Sequence, residues 1–137
     1  MEKFFEAVRT NRIDRLEVLI RLGQDVNAKD NNESSPLHVV NTPEIARILI
    51  NAGADVNAKN IFGFSPLHVA ILNLSLNIAR MLINAGADVN AKDNNESSPL
   101  HIAIMKGRMD IAKMLIDAGA DITATNKEGK TALELMH

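Results

Sequence analysis

Residues 65–92 read SPLHVAILNLSLNIARMLINAGADVNAK, and the order of chemistries along this stretch predicts two short helices closed by a turn. Ser65 is a good N-cap, and Pro66 falls at the first helical position, where a missing N–H costs nothing. A helix therefore starts at Ser65-Pro66. After a short linker, Ile78, Ala79, Met81, Leu82 and Ile83 recur at helical spacing. Gly86 stands where a left-handed residue ends a helix. The unit is helix, turn, helix, and then an extended turn carrying Asp88-Val89-Asn90-Ala91-Lys92.

The same unit recurs on both sides. SPLH starts at Ser35, Ser65 and Ser98, with a degenerate TALE at Thr131, at separations of 30, 33 and 33 residues. A second string keeps the register: GQDVNA from Gly23, GADVNA from Gly53 and Gly86, and GADITA from Gly119. A 33-residue period with a T-P-L-H-x-A signature marks ankyrin repeats, and the chain resembles that family along its whole length. One helix pair cannot hide its apolar face, so neighbouring pairs must stack. The reading is an all-α ankyrin-repeat solenoid of stacked helix-turn-helix units with extended turns, a single domain over residues 1–137. Its repeats are 1–28, 29–58, 59–91, 92–124 and a partial 125–137.

Composition limits the function. The 137 residues are within the usual size of one domain, 46% are hydrophobic and only 3% aromatic, so the core must be Leu, Ile, Val, Met and Ala. Fifteen Lys and Arg against 17 Asp and Glu leave a net charge of −2, which makes no basic field for nucleic acid or anionic lipid. The absence of Cys removes disulfides and thiolate chemistry and fits a reducing compartment. Charges from Glu2 to Glu17 interrupt every apolar run near the N-terminus. The expected location is cytoplasmic, or the cytosol of a host cell for a delivered effector.

Three departures from the repeat carry their own expectations. The repeat at 29–58 is three residues short between His38 and Ile45. Its first helix must lose most of a turn, leaving room for a bulky partner element, and Thr42 with Pro43 starts the next helix at once. Glu33 and Glu96 replace a family Gly kept at Gly63 and Gly129. Since a Cβ in the left-handed region costs about 1–2 kcal/mol, these two turns are expected to differ, with Asn32 and Asn95 taking positive φ instead. Finally, the chain stops at His137 inside the first helix of its last unit. Either this short end is the cap, or the sequence is a piece of a longer protein.

No catalytic or metal site emerges, and no cofactor is expected. His38, His68 and His101 stand at one position in successive repeats, but helices pack about 8–10 Å apart, too far to share a zinc at bonds of about 2 Å. The resemblance implies that each imidazole ties a turn to its helix. Asp25, Asp55, Asp88 and Asp121 are expected to bond their own turns. Met81 and Met114 read as seam filler. Phe4 reads as the anchor of the first helix, and Phe5 as a surface residue over the open N-terminal end.

The apolar residues that a core does not explain point to a non-catalytic protein-interaction module. Ile61, Phe62 and Phe64 occupy a turn whose counterparts in the other repeats are polar, and the same repeat carries Leu72, Asn73 and Leu74 at the end of its first helix. In ankyrin proteins the turn tips and the first helices form a concave surface that grips partners. The resemblance therefore implies a partner-binding site of Ile61, Phe62, Phe64, Leu72, Asn73 and Leu74, extending to Met105 and Lys106. Competing readings are that these aromatic side chains pack internally or mediate self-association; the expected state is monomer or weak self-association. Asn27, Asn57 and Asn90, each preceded eight residues earlier by Leu, also resemble the pattern modified by an asparaginyl hydroxylase. Alternative functions are thus a hydroxylase substrate, or a self-associating fragment of a larger ankyrin-containing protein.

Overall fold

Helices that begin at Ser-Pro or Thr-Pro start where the sequence supplies a cap. The Ser65 and Ser98 hydroxyls accept the backbone N–H of His68 and His101 at 3.3 Å, and Thr42 accepts that of Ile45 at 3.4 Å. The protein is described by a computed structural model covering residues 2–136. Its seven helices among the described residues are α1 (Glu2–Arg9), α2 (Ile13–Arg21), α3 (Pro43–Asn51), α4 (Pro66–Leu72), α5 (Leu76–Asn84), α6 (Pro99–Met105) and α7 (Met109–Asp117). Two 3₁₀ turns, Pro36–Val39 and Leu133–Leu135, stand where first helices would otherwise run. The all-α stack expected from the repeat is what forms, and the shortened repeat has lost its first α-helix to a 3₁₀ turn.

The second helices close in one way. Gly53, Gly86 and Gly119 adopt φ of 97°, 99° and 99°. The Gly53 and Ala54 N–H groups return to Ile50 and Leu49 carbonyls at 3.1 and 3.0 Å, so the last carbonyls of α3 are satisfied. Leu16, Leu49, Leu82 and Leu115 recur every 33 residues, and all four are fully buried. One continuous core runs from Phe4 to Ala132, with Met81 and Met114 half-buried against it. The second helix of the short repeat keeps its place in the row, since Ile45 and Leu49 are fully covered.

Backbone and side chains rivet successive repeats together. The Ile61, Asn94 and Lys127 N–H groups donate to the Asn32, Phe62 and Asn95 carbonyls at 3.0, 3.1 and 3.0 Å. The Lys29, Lys59 and Lys92 ammonium groups donate to the Lys59, Lys92 and Thr125 carbonyls at 3.1, 2.8 and 2.8 Å.

Two expectations are corrected. Glu33 and Glu96 themselves take positive φ, 59° and 57°, and Asn32 and Asn95 do not. All four turns are alike because the residue three positions earlier clamps each one. Asp30 Oδ1 accepts the Asn32 and Ser34 N–H groups at 2.8 and 2.9 Å, and Asp93, Asn60 and Asn126 do the same in their turns. Two side-chain bonds and a cross-repeat ladder outweigh a steric cost of about 1–2 kcal/mol. Phe5 is buried, with 3% of its surface exposed. It occupies the position His38 holds 33 residues later, and the Arg9 guanidinium lies 5.5 Å over its ring. Arg9 also reaches Asp30 at 3.8 Å, so a cation covers the ring that was expected on the surface.

Candidate functional site

The histidines build the platform beneath the turn tips. Each Nδ1 accepts the backbone N–H of its Ser, at 3.0, 3.1 and 3.2 Å for His38, His68 and His101. An acceptor Nδ1 puts the proton of the neutral ring on Nε2, which then donates to the next repeat's turn: to the Phe64, Ser97 and Lys130 carbonyls at 2.9, 3.1 and 2.9 Å. Burial pushes His38 and His68 below the ordinary imidazole range, which keeps them in this neutral form.

On this platform the turn at 60–64 carries its apolar side chains. Ile61 is 43% and Phe62 51% exposed. Phe64 is half-buried; its ring centroid lies 5.9 Å from those of Phe62 and His68. Phe64 is therefore partly an internal packing residue, while Ile61 and Phe62 present free apolar surface. The backbone under them cannot relax easily: a Cβ on Gly63 would lie 2.5 Å from Asn94 Oδ1, and Asn94 Nδ2 donates to the Ile61 carbonyl at 2.8 Å.

At the other end of α4, Leu72 is half-buried against the core, and Asn73 and Leu74 are exposed. Seven helical residues separate this end from the turn, about 10 Å of rise. Leu74 takes φ of 58° where the next repeat has Gly107 at 70°. Its carbonyl accepts Arg108 Nη1 at 3.3 Å, and Asp110 grips the same guanidinium at 3.0 and 2.8 Å. That pairing holds the Asp110 carboxyl down at about 2.

Toward the C-terminal end, two turn tips and a first helix border one hollow. A hollow of about 570 Å³ is lined by Asn95 and Ser97 from one turn, Met105 from α6, and Asn126 and Lys130 from the following turn. Met105 is 60% exposed and Lys106 is exposed beside it.

Two sets of residues in register hold the extended turns, the Asp set in the way expected. The Asp carboxylates accept backbone N–H groups two residues on, at 2.9 Å in all four copies. Asn27, Asn57 and Asn90 bridge repeats: their Nδ2 atoms donate to the Gly53, Gly86 and Gly119 carbonyls at 3.2, 3.3 and 3.4 Å. Their Oδ1 atoms accept the Asp55, Asp88 and Asp121 N–H groups at 2.8, 2.8 and 2.7 Å. Among the described residues no three His, Cys, Asp or Glu side chains come together as metal ligands.

One feature was read from the sequence only in outline. Where the short repeat lacks most of its first helix, a groove of about 320 Å³ opens between the 3₁₀ turn and α4, lined by residues that include Val40, Asn41, Val69 and Ser75. The signal was present as the three-residue deficit after His38, but the deficit does not name what lines the gap.

No curated protein matches the chain. A family model described as ankyrin repeats in three copies matches residues 4–93, and one described as ankyrin repeats in many copies matches residues 86–136. With the helix pairs stacked in register and the tips laddered across them, the chain belongs to the ankyrin-repeat family.

Proposed function

We propose that this protein binds a partner protein through its concave face, with no turnover and no cofactor, and that Ile61 and Phe62 anchor the contact. Ankyrin repeats in general serve as protein-interaction modules and are typically non-catalytic. The observation that carries the specific reading is the exposure of Ile61 and Phe62 on a turn fixed by bonds to both neighbouring repeats. A rigid apolar tip loses little entropy on binding, and fully burying one such side chain contributes about 1.5–3 kcal/mol. Phe64, Leu72, Asn73 and Leu74 extend the contact along α4, and Met105 and Lys106 continue it onto the next repeat. The polar turns at Asn31-Asn32 and Asn94-Asn95 form the wet rim, where substitutions matter less. The cytosol is the proposed location; among the described residues no helix is long and apolar enough to cross a membrane.

The test pairs folding with binding. A partner is isolated by pull-down from native lysate, and its affinity is then measured for the intact chain and for Phe62→Ala. Because the Phe62 side chain stands outside the stacked core, the melting temperature should hardly move while affinity falls about tenfold or more, near 1.4 kcal/mol. Phe64→Ala is the poorer probe, since it also strips packing from His68. An unfolded Phe62→Ala variant, or one that binds the confirmed partner as tightly as before, places the site elsewhere.

A second reading, weak self-association, is favoured by a separate apolar surface. Ile116, Ile122, Leu133 and Met136 are 48%, 59%, 72% and 48% exposed around a hollow of about 220 Å³. Sedimentation velocity across a concentration series reads it, and a constant sedimentation coefficient removes it.

A further inference from the structure

The groove left by the short repeat has a chemistry unlike the rest of the concave face. No Asp, Glu, Lys or Arg lines it. Its floor is buried and apolar, with Leu37 and Ile78 at 1% and 3% exposure. Its rim is made of neutral hydrogen-bonding groups. Asn41 Nδ2 is spent on the Arg9 carbonyl at 2.8 Å, while its Oδ1 has no partner among the described residues. Ser75 is the N-cap residue of α5, yet its hydroxyl makes no capping hydrogen bond. The Asn73 side chain, exposed beside it, makes none among the described residues either. Between Asn73 and Ser75, Leu74 takes the left-handed region with its carbonyl on Arg108.

Resting on the reading of this face as a protein-binding surface, we propose that the groove takes an uncharged, extended segment of the partner's chain. One small apolar side chain sits on the Leu37 and Ile78 floor, and the flanking peptide groups bond to Asn73, Ser75 and Asn41. An amide and a hydroxyl offer both donors and acceptors, which is what a peptide unit requires. A charged side chain would enter without a counter-charge and lose its hydration uncompensated. Size favours a single extended segment over the bulky element expected from the sequence. A groove of about 320 Å³ is at the small end of pockets, roughly 300–1,000 Å³, and a helix is about 10–12 Å across with its side chains.

Short random linear peptides displayed on phage provide the probe, selected on the immobilised full chain. Selected peptides are measured by fluorescence anisotropy against the intact chain, Val69→Phe, Ser75→Ala and Phe62→Ala. Val69→Phe fills the groove from its wall. Ser75→Ala removes one rim group that makes no bond in the fold, so it keeps the test decisive even where the larger side chain perturbs packing; melting curves check both. The expected result is a set of binders with an uncharged core that lose about tenfold in affinity, near 1.4 kcal/mol, on both groove variants. Binders unaffected by Val69→Phe and Ser75→Ala, binders with a charged core, or no binder at all would overturn the proposal. Loss on Phe62→Ala alone also overturns it while leaving the wider face standing; loss on the groove variants alone supports it and moves the anchor away from Phe62.

Discussion

Three of the four non-glycine residues at positive φ among the described residues, Asn11 being the fourth, show how clamps override local preference. Glu33, Leu74 and Glu96 adopt φ of 59°, 58° and 57°, each at a position where another repeat has Gly. Glu33→Gly and Leu74→Gly should each raise stability by about 0.5–1 kcal/mol, the steric relief being partly offset by the freer unfolded chain; urea unfolding reads the gain. Gly63→Ala should go the other way, since its Cβ would press on Asn94. The histidines set a pH dependence whose sign follows from burial. His38 and His68 are lowered from the ordinary value near 6.5, so on acidification the unfolded chain takes up protons before the folded one. Stability is full above about pH 6.5 and declines as pH falls below it. Thermal melts between about pH 7.5 and 5.5 should show a falling midpoint, and a midpoint that rises on acidification contradicts the assigned tautomer.

The helix α3 tests whether a repeat that lacks most of its first helix still belongs to the stack. Its Ile45, Ala46 and Leu49 are buried without residue, and α3 packs on both α5 and the 3₁₀ turn. A core that lets Leu49 sit at the same depth as Leu16, Leu82 and Leu115 treats the short repeat as an equal. Leu49→Ala should therefore cost about 2–5 kcal/mol, as for other buried large-to-small changes. A loss below about 1 kcal/mol would separate this repeat from the core. The price of the missing helix is paid at the groove, where α4 has only a 3₁₀ turn beside it.

A linear stack distributes its stability through neighbours, so its ends must differ from its middle. Interior repeats are laddered on both sides by Asn, Lys and backbone bonds, whereas residues 125–136 are held on one side, through Thr125, Lys127 and the 3₁₀ turn Leu133–Leu135. An isolated bridge between Thr125 and Thr131 and the Asn126 clamp on Glu128 and Lys130 brace this end locally. Amide hydrogen exchange should find the residues from 125 onward the least protected and α4 to α6 the most. Uniform protection through residue 136 would contradict this gradient.

Much of this architecture was legible along the chain because repeats are written in local chemistry. Ser-Pro starts, Gly stops and a 33-residue register of Leu are short-range signals, and each specifies a helix boundary or a buried face without reference to distant residues. The role of the histidines came from the resemblance; their Ser partners are three residues away, but the bonds from Nε2 reach the next repeat's turn 26–29 residues on. The conformation of Glu33, the burial of Phe5 under Arg9, the half-burial of Phe64 on His68 and the groove beside Ser75 were not legible. Cross-repeat contacts help to set them, such as His38 to Phe64, 26 residues apart, and Arg108 to Leu74, 34 apart. Apolar character told that the turn at 61–64 was unusual, but whether a side chain there faces solvent or its own platform depends on what the next repeat places beneath it.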